Sequence, residues 1–216
     1  MIRSRLARLT LRLAALATTG VLAGCGVLVV GAVVGTGLVV TDRRTTGTQL
    51  EDQNIELKAA TAVRELATLG NVNVVSYNRI VLITGEVPDL NEKARVERAV
   101  AAVPEVRSVV NELGIGGNST TGSRSTDAML GAKVKATLVD AKDLQANAYK
   151  VVLERGIVYL MGRVTAREAD RGTEVARSVA GVQKVVRVFE IISEQELAAL
   201  GRTEPAAGAA SASAPR

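Results

Sequence analysis

The 216-residue sequence has no histidine and no tryptophan, one phenylalanine, three tyrosines and a single cysteine. Each shortage closes a class of function. Without histidine there is no Ser-His-Asp or Cys-His unit and no imidazole metal site. So few aromatic rings provide no stacking platform for single-stranded nucleic acid. A lone thiol makes no intrachain disulfide, so any folded part depends on an ordinary apolar core. A net charge of +5 hints at nucleic acid, but four of the 27 basic residues lie within the first twelve positions. Nucleic acid is therefore not expected as a partner.

What is present begins with those arginines. Arg3, Arg5, Arg8 and Arg12 form a positive stretch around the start of an apolar run, Leu11 to Leu22, and small residues then lead to the thiol in Leu22-Ala23-Gly24-Cys25. This is the architecture of a secretory signal. Leu-Ala-Gly-Cys also matches the lipobox, in which the thiol is the nucleophile that accepts the lipid. Residues 1–24 therefore read as a cleavable signal peptide and Cys25 as the acylated, palmitate-bearing N-terminus. Removal of the signal leaves 23 basic against 22 acidic residues. A competing arrangement keeps Leu11 to Val40 as an uncleaved span, with Gly31 and Gly35 as a small-xxx-small pair. After cleavage only the 15 residues Gly26 to Val40 remain, glycine-rich and short of the roughly 20 that a span needs.

The rest of the chain contains an internal repeat. Ile80-Val81-Leu82-Ile83-Thr84-Gly85-Glu86-Val87 aligns with Ile157-Val158-Tyr159-Leu160-Met161-Gly162-Arg163-Val164, 77 residues later, and Val74-Val75 aligns with Val151-Val152 at the same offset. Val106 to Val110 matches Val182 to Val186 at an offset of 76. Each copy predicts an amphipathic helix, a hairpin, a charged helix and a closing strand. In the first copy these are a helix over 52–69 with Ile55, Ala59, Ala62, Val63 and Leu66 on one face, and a strand over 71–76. A turn at Tyr77-Asn78-Arg79, a strand ending at a Gly85 kink, a helix over 90–102 and a strand over 106–113 follow. The second copy repeats the order, with a turn at Glu154-Arg155-Gly156, a helix over 166–179 and a strand over 182–192. The fold class is α+β: two tandem αββαβ units, each a three-stranded sheet with two helices on one face. The domain boundaries read as 1–24 signal, 25–48 lipidated N-terminus and tether, 49–116 first unit, 117–124 polar linker, 125–193 second unit and 194–216 a mostly disordered tail.

The central Val-x-Leu-x-Gly-x-Val strand and the Val-x-x-Val closing strand resemble the BON domain. With the lipobox and the segment Thr41-Asp42-Arg43-Arg44-Thr45, the whole resembles the dual BON-domain outer-membrane lipoprotein family. The resemblance implies a role in outer-membrane integrity and binding of anionic phospholipids, phosphatidylglycerol and cardiolipin, through the second BON domain. It also implies enrichment at the division site. Gly26 after the lipidated cysteine, in place of aspartate, favours sorting to the outer membrane.

The first helices of the two units differ in what they turn outward. In the first, the face opposite Ile55 and Leu66 carries Leu57, Thr61, Arg64 and Thr68, an ordinary solvated set. In the second, Leu130, Val134 and Leu138 form the inward stripe. Met129, Ala132, Ala136 and Val139 lie opposite, with Lys133 and Lys135 on the flanks. An apolar patch rimmed by lysines suits contact with anionic lipid. The plainer reading is an alanine-rich helix with one exposed methionine. Family members can carry an aromatic anchor at the position matched by Met129, and methionine lacks its interfacial preference.

No catalytic grouping stands out, and no cofactor or metal site is expected. Glu51-Asp52 and Asp140/Asp143 sit at predicted helix ends, where carboxylates cap. Gly114-x-Gly116-Gly117 is not followed by Lys-Ser/Thr and reads as linker. The rival to a lipid-binding lipoprotein is a periplasmic adaptor that docks an outer-membrane assembly or cell-wall remodelling protein.

Overall fold

A computed structural model describes residues 42–66, 70–117 and 120–200. The signal peptide, Cys25, the apolar stretch to Val40 and the tail from residue 201 lie outside the described residues. Helix α1 spans Thr46–Glu65, with the Thr45 hydroxyl accepting from the Thr48 N–H at 3.1 Å as N-cap. It starts six residues before the expected Asp52, inside the stretch read as tether. Its inward stripe is Ile55, Ala59 and Val63, with Asp52 buried one turn earlier. Strands β1 (Asn71–Tyr77) and β2 (Ile80–Val87) form an antiparallel hairpin with Val74 opposite Ile83 and Val75 opposite Leu82. Helix α2 (Leu90–Ala101), capped by the Asp89 side chain, buries Val96 and Val100.

The closing strand differs from expectation. In place of one strand over 106–113 there are two pieces, β3 (Ser108–Asn111) and β4 (Gly114–Ile115), both parallel to β2. The break lets Leu113 turn into the helix-side core, where it is almost fully buried.

The second unit repeats the order. Helix α3 spans Thr121–Asp140, capped by Thr120. A 3₁₀ turn at Ala146–Ala148 precedes β5 (Lys150–Glu154) and β6 (Ile157–Val164). Helix α4 (Ala166–Ser178) opens on a Thr165/Glu168 capping box, and β7 (Lys184–Ile191) runs parallel to β6. Two expectations shift here. Helix α3 begins inside the stretch 117–124 read as polar linker. The first part of the stretch read as tail forms α5 (Glu194–Leu200), held by an Arg163–Glu196 ion pair of 2.7 Å.

Neither central strand stops at its glycine. β2 continues through Gly85 to Val87 and β6 through Gly162 to Val164. A Cβ on Gly85 would lie 1.9 Å from the Asn71 carbonyl oxygen, and one on Gly162 would lie 2.2 Å from that of Ala148. Glycine is thus required so that the neighbouring chain can approach.

Both helices of each unit cover one sheet face, giving separate cores around Ile55, Val81 and Ile83 and around Val134, Val158 and Leu160. The other two faces meet each other. Tyr77 and Leu82 of the first sheet share one buried cluster with Tyr159, Met161 and Val188 of the second. The layers are therefore helices, sheet, sheet, helices. This is why β2 and β6 read as near-continuous apolar runs, since alternate residues enter different cores. Lys150 to Glu56 (2.8 Å) and Arg107 to Glu190 (2.8 Å) fasten the rim of the joint.

Candidate functional site

The register of α3 follows from its inward residues. Leu130, Val134 and Leu138 are buried at four-residue spacing, so residues three and seven positions from Met129 fall on the opposite side. Met129 is 67% exposed and Val139 62%. Ala132, Lys133, Lys135 and Ala136 are exposed between them. All six residues singled out in the sequence thus share the solvent side of one helix. At 1.5 Å per residue the stripe from Met129 to Val139 is about 15 Å long. Neither lysine makes an ion pair among the described residues.

The buried residues of α1 and α3 align at an offset of 75: Asp52 with Asp127, Ile55 with Leu130, Ala59 with Val134 and Val63 with Leu138. The positions on α1 corresponding to the α3 stripe are then Asn54, Leu57, Lys58, Ala60, Thr61 and Arg64. Along their lengths α1 carries four acidic and two basic residues, and α3 two acidic and three basic. On these outward positions each helix carries two basic residues and no acidic one, Lys58 and Arg64 on α1 and Lys133 and Lys135 on α3, and the difference lies in the apolar Met129, Ala136 and Val139 that replace Asn54, Thr61 and Arg64.

Beside α3 the chain enters the described fold. Asp42 and Arg44 line a shallow groove with Tyr77, Lys135, Asn147, Tyr149 and Lys150. Arg43 forks onto Glu168 with both nitrogens at 2.7 Å, donates to the Arg163 carbonyl at 2.9 Å, and is almost fully buried. Arg44 turns the other way, to Asp52 (2.7 Å) and Asp42 (2.7 Å), with its guanidinium 4.1 Å over the Tyr77 ring. Segment 42–45 is therefore part of the folded unit and not the tether expected there.

Asp52 is not a helix-end cap. It lies within α1, buried, and accepts from the Ser76 hydroxyl (2.6 Å) and from the N–H groups of Asn78 (2.7 Å) and Arg79 (2.8 Å). Asn78 and Arg79 both have positive φ, the two-residue hairpin geometry that places their N–H groups in line with one acceptor. Burial pushes this carboxyl up, but the bonds from Ser76, Arg79 and Arg44 together hold it below the usual range. In the second hairpin Asp127 accepts from the N–H groups of Arg155 (2.7 Å) and Gly156 (3.0 Å). Sequence reasoning missed Asp127. Helices repeat at 75 and hairpins at 77, so the two aspartates do not align under the offset that revealed the duplication. Asp140 and Asp143 lie at the α3 end as expected, Asp143 pairing with Arg171 at 2.8 Å. Among the described residues no group of carboxylates could hold a metal ion, and no helix is long and apolar enough to cross a membrane.

The fold and this surface define a class: tandem αββαβ modules docked through their sheets, with an N-terminal arm fixed to both. The BON domain matches residues 51–117 and 126–193. The chain is 36% identical to outer membrane lipoprotein DolP of Haemophilus influenzae over 180 residues, covering 82% of this chain and 93% of that protein. It is also 32% identical to a 21 kDa hemolysin of Actinobacillus pleuropneumoniae, covering 70% and 79%. A solved structure of CdsD, a structural protein of the type III secretion system of Chlamydia trachomatis, covers 71% of this chain and all of its own, at 13% identity and a TM-score of 0.28. The chain belongs to the dual BON-domain outer membrane lipoprotein family. It is accordingly non-enzymatic, and lipid-anchored in the outer membrane.

Proposed function

We propose that the chain binds anionic phospholipid, phosphatidylglycerol and cardiolipin, through the outer face of α3, and that it supports outer-membrane integrity from an acyl anchor at Cys25 on the periplasmic face. One observation carries the reading: the exposed Met129–Val139 stripe flanked by two lysines that have no carboxylate partner among the described residues. Apolar side chains enter the interfacial region while the ammonium groups meet lipid phosphates. Each lysine contributes roughly 1 kcal/mol at such a surface, so the face alone binds weakly. The anchor raises its effective concentration at the membrane and makes weak binding sufficient. Methionine fills the acyl boundary without the headgroup preference of tryptophan, which keeps the contact reversible.

The test is cosedimentation of a soluble form beginning at Thr41, since one beginning at Gln49 would lose Arg43 and Arg44. It pellets with phosphatidylglycerol or cardiolipin vesicles and not with phosphatidylcholine alone. Met129→Glu and Lys133→Glu each reduce binding about tenfold. Binding unchanged by both substitutions refutes the site, and absence of pelleting favours the adaptor reading. Enrichment at the division site extends the proposal. Imaging a fluorescent fusion in dividing cells tests it, and uniform rim fluorescence removes it.

A further inference from the structure

The groove beside α3 holds polar groups that the fold itself leaves unused. It encloses about 280 Å³, just below the roughly 300–1,000 Å³ typical of drug-sized ligands, which is room for a lipid headgroup and not for acyl chains. Lys135 and Asn147 line it and are exposed, and their side chains have no hydrogen-bond or ion-pair partner among the described residues. Lys150 gives its ammonium to Glu56 (2.8 Å) and to the Ser76 carbonyl (3.0 Å), which leaves one of its three N–H groups over. Asp42 accepts three bonds from Arg44, so one of the roughly four acceptor positions of its carboxylate stays open. The same bonds hold Asp42 against a guanidinium that is itself stacked on Tyr77. One groove thus offers three nitrogen donors that suit a phosphate and one acceptor that suits a hydroxyl.

Its height on the molecule agrees with this chemistry. Lys133 and Lys135 lie on opposite flanks of α3, and only Lys135 borders the groove. A helix is about 10–12 Å across, and an interfacial helix sinks its apolar face about 5–10 Å into the boundary between headgroups and acyl chains. With the Met129–Val139 stripe at that depth, the Lys135 flank stands at the level of the phosphates.

Resting on the lipid reading above, we propose that the groove between Lys135, Asn147, Lys150 and Asp42 is the headgroup site of that lipid face: it takes the phosphoglycerol unit shared by phosphatidylglycerol and cardiolipin, with the phosphate on the three nitrogen donors and a glycerol hydroxyl on Asp42. The stripe attaches the protein to the bilayer, and the groove selects among anionic lipids. A lysine meets a phosphate as a point charge, whereas the Asn147 amide and the Asp42 carboxylate require bonds in fixed directions.

The test uses the soluble form beginning at Thr41, which keeps every described residue, and phosphatidylcholine vesicles carrying equal amounts of phosphatidylglycerol or phosphatidylmethanol. The two anionic lipids have the same charge, and only the first has headgroup hydroxyls. The native protein binds the phosphatidylglycerol vesicles about fivefold more tightly, the effect of one hydrogen bond. Asp42→Ala brings that ratio to one, and Arg44 keeps its Asp52 partner in this variant. Asn147→Leu, neutral and off the apolar stripe, weakens binding to both vesicles about fivefold. Met129→Glu weakens both and leaves the ratio as it was. A native ratio of one overturns the headgroup site while leaving the lipid face standing, and so does a ratio unchanged by Asp42→Ala. Failure to bind either vesicle means that the lipid face itself has failed. Glycerophosphoglycerol, the same headgroup without acyl chains, separates a lipid from a free phosphodiester. At millimolar concentration it shifts the Asn147 and Lys150 backbone amides without displacing the protein from vesicles. Displacement at micromolar concentration would make the groove a site for a soluble phosphodiester and overturn the lipid assignment.

Discussion

The two BON domains share their interiors and differ on their outer helices. Both use an aspartate on the first helix to hold the hairpin turn, and both need a glycine in the central strand where the neighbouring chain passes. Duplication preserved what the fold requires. On the outer helix faces, Asn54, Thr61 and Arg64 of α1 stand where α3 has Met129, Ala136 and Val139. Substitution there costs little stability, so the surfaces were free to diverge, and one became apolar with a basic rim.

The equivalence of the interiors breaks most severely at the aspartates. Asp52 receives three hydrogen bonds from the hairpin and an ion pair from Arg44, whereas Asp127 receives two backbone N–H groups. Asp52→Ala should cost about 3–5 kcal/mol, because it orphans several buried donors and a guanidinium. Asp127→Ala should cost about 1–3 kcal/mol. Urea unfolding of both variants measures the ratio, and equal losses would remove the asymmetry.

The docked sheets come next. Leu82→Ala and Met161→Ala each open the shared cluster and should cost about 2–4 kcal/mol. A double-mutant cycle between them should return a coupling of about 1 kcal/mol. Additive losses would mean the two sheets do not sense each other. Acid provides a gentler probe. Asp52, Glu168 and Glu190 are each pushed up by burial, yet held below the ordinary carboxylate range: Asp52 mainly by Ser76 and Arg79, Glu168 by Arg43, and Glu190 by Asn78 and Arg107. A carboxyl with a lowered folded pKa stabilises the native state above its unfolded value, near 4, and that contribution is lost as pH falls through the folded value. Stability should therefore decline below about pH 4, and Asp52→Asn should flatten the decline in chemical unfolding followed across pH. The smallest expected effect is on the faces themselves. Met129→Glu and Leu57→Glu should each change stability by less than about 0.5 kcal/mol by thermal unfolding, although only the first touches the lipid reading.

Much of this was legible in the sequence because duplication presents each strand twice. The hairpins and second helices follow from apolar periodicity and paired turns, and the six α3 residues share one face because the buried stripe fixes the helix phase. Three features were not legible. Thr46-Gly47-Thr48 has poor helix propensity, and it forms the first turn of α1 behind the Thr45 cap and beside the Arg44–Asp52 ion pair. The Arg43–Glu168 pair joins residues 125 positions apart, a pairing no local pattern announces. Sheet docking left a trace in the unbroken apolar runs of β2 and β6, but such runs are equally consistent with other buried strands.

The contrast between α1 and α3 is tested most directly by backbone amide shifts of the soluble form titrated with anionic lipid micelles. Shifts should concentrate at residues 129–139, be absent from 54–64, and vanish in Met129→Glu with Lys133→Glu. Shifts spread equally over both helices, or confined to α1, would contradict it.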